Sequence, residues 1–173
     1  MSQIILITGG ARSGKSRLAE DLAERFGAPL GYIATGEPGD AEMRERIARH
    51  RSLRGPAWKT IEETLDLSVA LRDNDGRFAC MLVDCVTLWL ANLLFRYNDP
   101  RQVLDDVALF AAALPLLKSP LVLVSNELGM GIVPENGLAR AFRDLAGEAN
   151  ELLARVADEV YVTFSGLPLK LKG

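Results

Sequence analysis

Short unbroken apolar runs alternate along this chain with longer stretches whose apolar residues recur every three or four positions. The runs are Ile4 to Thr8, Gly31 to Thr35, Phe78 to Asp84, Leu121 to Ser125 and Val160 to Phe164. Runs of this kind predict strands buried on both faces, and strands separated by helical patterns need crossover connections. The expected fold is therefore α/β, with three layers around a mainly parallel central sheet.

The helical stretches carry boundary signals of their own. Leu18, Leu22 and Phe26 repeat at four-residue intervals, and Gly27 stands where such a helix stops. Thr60 and Glu63 have the spacing of a capping box ahead of Leu65 and Val69. Val86 to Tyr97 follows the third run as a further helix. Pro100 opens another, with Pro115 marking its end or a kink, and a long pattern runs from about Glu135 to Ala157. From Asp40 to Ser52 the pattern is again helical, with Asp40 as N-cap and Met43, Ile47 and His50 on one face. No internal repeat, low-complexity tract or linker divides the sequence, so residues 1–173 are expected to form a single domain.

Composition narrows the class. At 173 residues the chain can bury about 70% of its unfolded surface, and 49% apolar with 25% charged residues is ordinary for a soluble globular protein. The net charge of -3 removes the uniform attraction to phosphate backbones on which nucleic-acid binders depend, so no nucleic-acid partner is expected. Cys80 and Cys85 form no CxxC pair and have no partner at metal-ligand spacing, which makes them reduced core thiols. Ile4 to Ile7 is too short for a signal sequence and lacks a basic flank. Val86 to Leu94 likewise falls short of the roughly 18 apolar residues of a membrane span. A cytoplasmic location follows.

The chemistry begins at Gly9-Gly10-Ala11-Arg12-Ser13-Gly14-Lys15-Ser16, which fits GxxxxGK[ST] between a predicted strand and a predicted helix. Glycines let the backbone wrap a phosphate with its N–H groups, and the following helix adds its positive end. Lys15 is placed to reach the β- and γ-phosphates, and the Ser16 hydroxyl to hold Mg²⁺. The domain is thus a P-loop nucleotide-binding domain. Asp84 ends Met81-Leu82-Val83-Asp84, which has the form of the strand that carries a second metal-side carboxylate. The same residue could instead cap the helix that follows. Glu127, after the run Leu121 to Ser125, is a weaker candidate for the metal side.

His50, the single histidine, stands among Arg46, Arg49, Arg51 and Arg54. That positive charge suits a polyphosphate and favours the neutral, nucleophilic imidazole. Spacing alone leaves two readings open, a phosphoramidate-forming nucleophile or a core histidine beside a solvated arginine face.

Four segments together resemble the adenosylcobinamide kinase/adenosylcobinamide-phosphate guanylyltransferases over nearly the full length. They are Gly9 to Arg17, Tyr32-Ile33-Ala34-Thr35, Arg46 to Arg51 followed by Trp58 to Glu62, and Asn126 to Asn136. The resemblance implies a RecA-like P-loop fold and a homotrimer acting in cobalamin biosynthesis. It implies two transferase reactions. The kinase, using ATP or GTP, phosphorylates the hydroxyl on the aminopropanol arm of adenosylcobinamide. The nucleotidyltransferase then moves GMP from GTP to adenosylcobinamide phosphate and releases pyrophosphate. By the same resemblance His50 is the guanylylated nucleophile. The GTP-binding and ATP-binding contacts fall on Gly9 to Ser16, on Ala34, Thr35 and Gly36, on Arg51, Ser52, Leu53 and Arg54, and on Glu62 and Asp84. Ser16 and Asp84 are the implied Mg²⁺ ligands. Two other classes explain part of the pattern. A P-loop small-molecule kinase without guanylyl transfer would leave His50 structural and take no label from an α-phosphate. A nucleotide-binding regulatory protein would hydrolyse slowly without any acceptor.

Overall fold

The computed structural model describes residues 2–36 and 55–173. In chain order these form β1 (Ile4–Gly9), α1 (Lys15–Glu24), β2 (Leu30–Ala34), β3 (Trp58–Glu62), α2 (Leu67–Asn74), β4 (Cys80–Asp84), α3 (Val86–Tyr97) and α4 (Pro100–Ala113). After a short 3₁₀ turn at Leu114–Leu116 come β5 (Leu121–Val124), α5 (Gly137–Val156), β6 (Glu159–Phe164) and β7 (Leu167–Lys172). The strands build one sheet in the order β3-β2-β4-β5-β1-β6-β7. Every neighbouring pair is parallel except β6 and β7, which form an antiparallel hairpin.

Because side chains alternate across a strand, β1 sends Ile4 and Leu6 to one face and Ile5 and Ile7 to the other. All four are buried, which is why the run reads as continuously apolar. On one face the sheet packs against α2, α3, α4 and α5, with Leu71, Trp89, Phe110 and Leu153 in the core. On the other it packs against α1 through Ala19, Leu22 and Ala23, with Leu18 and Phe26 partly buried beside them. Each fully buried leucine, isoleucine or phenylalanine among them contributes on the order of 1.5–3 kcal/mol relative to exposure. The expected three-layer arrangement is present, with the strand order reversing at β1.

Most expected elements occur within a few residues of their predicted ends. The helix over Val86–Tyr97 matches, Pro100 opens α4, and Pro115 lies in the 3₁₀ turn that closes it. The long C-terminal helix begins at Gly137, capped by the Asn136 side chain, which accepts from the N–H groups of Leu138 and Ala139. Two strands were not expected, β3 and β7. The capping box at Thr60 and Glu63 is overturned: Thr60 is a strand residue of β3, paired with Tyr32. Glu63 instead accepts from the N–H groups of Leu65 and Asp66 in the turn leading into α2. Edge pairing with β2 outweighs the local helix signal there. The predicted helix Asp40 to Ser52, with Met43, Ile47 and His50 on one face, lies outside the described residues.

Candidate active site

In an open α/β sheet, ligands bind at the carboxyl ends of the strands beside the point where strand order reverses. Here that point is β1, between β5 and β6, and β1 runs directly into Gly9 to Ser16. Gly9 has φ +150, and a Cβ there would stand 2.5 Å from Thr163 Oγ1, so the backbones can approach only because the residue is glycine. Gly14, at φ +100, is the N-cap of α1. No side chain caps this helix and its first turn carries no acidic residue, which leaves its leading N–H groups and positive end open to an anion.

Lys15 is only 8% exposed, and its Nζ donates to the Gly10 carbonyl at 2.7 Å, folding the ammonium back over the loop. Burial lowers its pKa below the ordinary lysine value, while the negative field of Asp84 partly opposes the shift. Lys15 and Asp84 therefore share one electrostatic environment although Asp84 ends β4 and Lys15 opens the helix after β1, two strands separated by β5. Ser16, half-buried, is the second residue of α1.

Strand register brings the other expected residues to the same edge. Glu62, Ala34 and Asp84 stand in one row across β3, β2 and β4. Asp84 Oδ2 accepts from the Tyr32 hydroxyl at 2.9 Å. Its alternative role as a helix cap does not hold, because the cap position of α3 is Cys85 and no side chain bonds there. Thr35 is fully buried, and its hydroxyl both donates to the Cys85 carbonyl and accepts from the Cys85 N–H, each at 2.8 Å. That side chain thus latches the ends of β2 and β4 together. Gly36 packs against Leu88. Glu127 is tied to the loop through its N–H, which donates to the Gly9 carbonyl at 2.9 Å, while its carboxylate accepts from Gly129. Burial pushes the thiols of Cys80 and Cys85 up to about 12 and about 11, as expected of inert core cysteines. His50 and Arg46, Arg49, Arg51, Ser52, Leu53 and Arg54 lie outside the described residues.

This geometry is matched by similarity along the whole chain. Residues 5–171 match the model of the cobinamide kinase / cobinamide phosphate guanyltransferase family. The chain belongs to that family. A bifunctional adenosylcobalamin biosynthesis protein of Pseudomonas aeruginosa is 46% identical over 168 residues, covering 97% of this chain and 96% of its own. A protein of the same description in Salmonella typhimurium is 42% identical over 181 residues, covering 98% and 99%. Among solved structures, a KaiC-like protein of Pyrococcus horikoshii superposes with a TM-score of 0.54 at 15% identity, over 92% of this chain and 70% of that one, and shows the RecA-like P-loop fold. Family membership makes this chain a transferase with a P-loop nucleotide site.

Several side chains that tie the strand ends beside the loop carry no motif. Asn92 donates to the carbonyls of Thr35 and Thr64, pinning two strand ends from α3. Thr87 Oγ1 accepts from the Asn126 N–H and contacts Ser125 Oγ, fixing the end of β5. Their only sequence signal is a polar residue on an otherwise apolar helix face just after a strand end.

Proposed function

We propose that this chain acts as a single domain that phosphorylates adenosylcobinamide with ATP or GTP and then converts adenosylcobinamide phosphate to adenosylcobinamide-GDP. The observation that carries the reading is a fully formed P-loop with a buried Lys15, in a chain similar from end to end to proteins named bifunctional. In the kinase step the substrate hydroxyl attacks the γ-phosphorus and the nucleoside diphosphate leaves. The loop N–H groups and Lys15 hold the charge that develops on the phosphates. In the second step His50 attacks the α-phosphorus of GTP and pyrophosphate leaves. A phosphate oxygen of adenosylcobinamide phosphate then displaces the imidazole from the guanylyl group. Dividing the transfer this way avoids bringing two bulky substrates together in one displacement.

The donor set at the strand ends fits Mg²⁺. Ser16 offers a hydroxyl and Asp84 a carboxylate, and no cluster of three or more metal-ligating side chains occurs among the described residues, as suits an ion held largely by phosphates and water. When bound, the ion neutralises phosphate charge. Ala34, Thr35, Gly36, Glu62 and Arg51 to Arg54 complete the nucleotide contacts in this reading. The acidic balance argues against a nucleic-acid partner. Among the described residues no helix is long and apolar enough to cross a membrane, and we place the enzyme in the cytoplasm as a homotrimer.

Replacing His50 separates the two steps. His50→Asn is expected to abolish formation of adenosylcobinamide-GDP while phosphorylation of adenosylcobinamide largely persists, measured by chromatography of the corrinoid products. Retained guanylyl transfer together with lost phosphorylation would contradict the assignment.

A further inference from the structure

We propose that Thr163, at the end of β6, is a positioning residue for the phosphate-binding loop, acting through Ser13. Ser13 Oγ and Thr163 Oγ1 lie 2.7 Å apart, and both residues are buried. Thr163 Oγ1 also donates to the Thr8 carbonyl at 3.3 Å. Either hydroxyl can donate in the shorter contact, and Thr163 Oγ1 stands between Ser13 and the carboxyl end of β1, within reach of both. A second tie comes from the hairpin turn: the Gly166 N–H donates to the Ser13 carbonyl at 2.8 Å. A Cβ on Gly14 would stand only 3.1 Å from Gly166 Cα, so the turn rests directly on the loop.

These contacts have a consequence for phosphate binding. The Ser13–Gly14 peptide is trans, so its carbonyl and its N–H point in opposite directions. Holding the Ser13 carbonyl toward Gly166 turns the Gly14 N–H away from the hairpin. Side chain and carbonyl of Ser13 are thereby both fixed before any ligand arrives, and donors oriented in advance need no reorganisation when charge develops on a phosphate. The hairpin is itself anchored away from the loop. Lys172 Nζ donates to the carbonyls of Ala154 and Arg155 at the end of α5, and within the hairpin Lys170 pairs with Glu159.

The proposal rests on nucleotide binding at the P-loop but not on the role of His50. Thr163→Val keeps the shape of the side chain and removes the hydroxyl. Affinity for a non-hydrolysable GTP analogue with Mg²⁺ is measured by calorimetry well below the melting temperature, alongside kcat and KM of the kinase step. Thr163→Val is expected to weaken binding by about tenfold, the effect of losing one buried hydrogen bond and stranding its partner. Thr163→Ser is expected to restore affinity to within about twofold. A merely structural role would lower the melting temperature and leave the affinity of the folded protein unchanged. Ser13→Ala breaks the same contact from the loop side, should Thr163→Val not fold. If the two residues act through each other, the double variant binds no more weakly than the worse single one. Affinity within twofold of wild type in Thr163→Val or Ser13→Ala, or additive losses in the double variant, would overturn the proposal. Lys15→Ala serves as control: its loss of turnover with silent Ser13 and Thr163 variants sinks the clasp alone, whereas unchanged turnover sinks the P-loop reading beneath it.

Discussion

Burying the Lys15 ammonium removes hydration that the Gly10 carbonyl and the field of Asp84 replace only in part, so its pKa falls. A phosphate entering the loop supplies the missing countercharge. Lys15→Ala is therefore expected to lower turnover of both substrates by about a hundredfold or more, while near-wild-type rates in a steady-state assay would take the loop out of the mechanism. Asp84 ends β4, is held by the Tyr32 hydroxyl through Oδ2, and caps no helix. Asp84→Asn replaces a charged oxygen donor with a neutral amide, so the Mg²⁺ concentration giving half-maximal nucleotide binding is expected to rise. An unchanged Mg²⁺ titration would assign Asp84 a structural role. At this scale the loop was legible in the sequence because phosphate binding dictates four residues, Gly9, Gly14, Lys15 and Ser16, at fixed spacing within eight positions. Thr163 was not, since it meets Ser13 across 150 positions of sequence and only the pairing of β1 with β6 brings them together.

Elements were legible where both faces are buried and opaque at the edges of the sheet. β1, β2, β4 and β5 are apolar on both sides and announce themselves. In β3, Trp58-Lys59-Thr60-Ile61-Glu62 mixes polar and apolar residues because only one neighbour, β2, covers it, and Thr60 with Glu63 imitates a helix start. β7 is exposed along its length and alternates leucine with proline or lysine. Its Leu167, Leu169 and Leu171, with Phe164 of β6, leave an apolar row on an edge strand, a surface suited to self-association. If the trimer forms through this row, sedimentation equilibrium gives three times the 18.9 kDa chain mass for the wild type and the single-chain mass for Leu169→Glu. A trimeric Leu169→Glu would move the interface elsewhere, and a monomeric wild type would exclude the trimer.

For the molecule as a whole, the loop, Ala34 to Gly36, Glu62 and Asp84 converge at one end of the sheet although they arise from four strands. That convergence follows from the parallel topology, which sends the carboxyl end of every strand except β7 to the same side. The guanylyl step is what separates this family from a P-loop kinase, and it leaves a chemical trace. Incubating the protein with GTP labelled at the α-phosphorus, without any corrinoid, is predicted to leave label on the chain at His50, labile to acid and stable to base as a phosphoramidate is. Added adenosylcobinamide phosphate is predicted to discharge that label into adenosylcobinamide-GDP. A protein that phosphorylates adenosylcobinamide yet takes up no α-label, with or without acceptor, would contradict the covalent guanylyl-transfer mechanism.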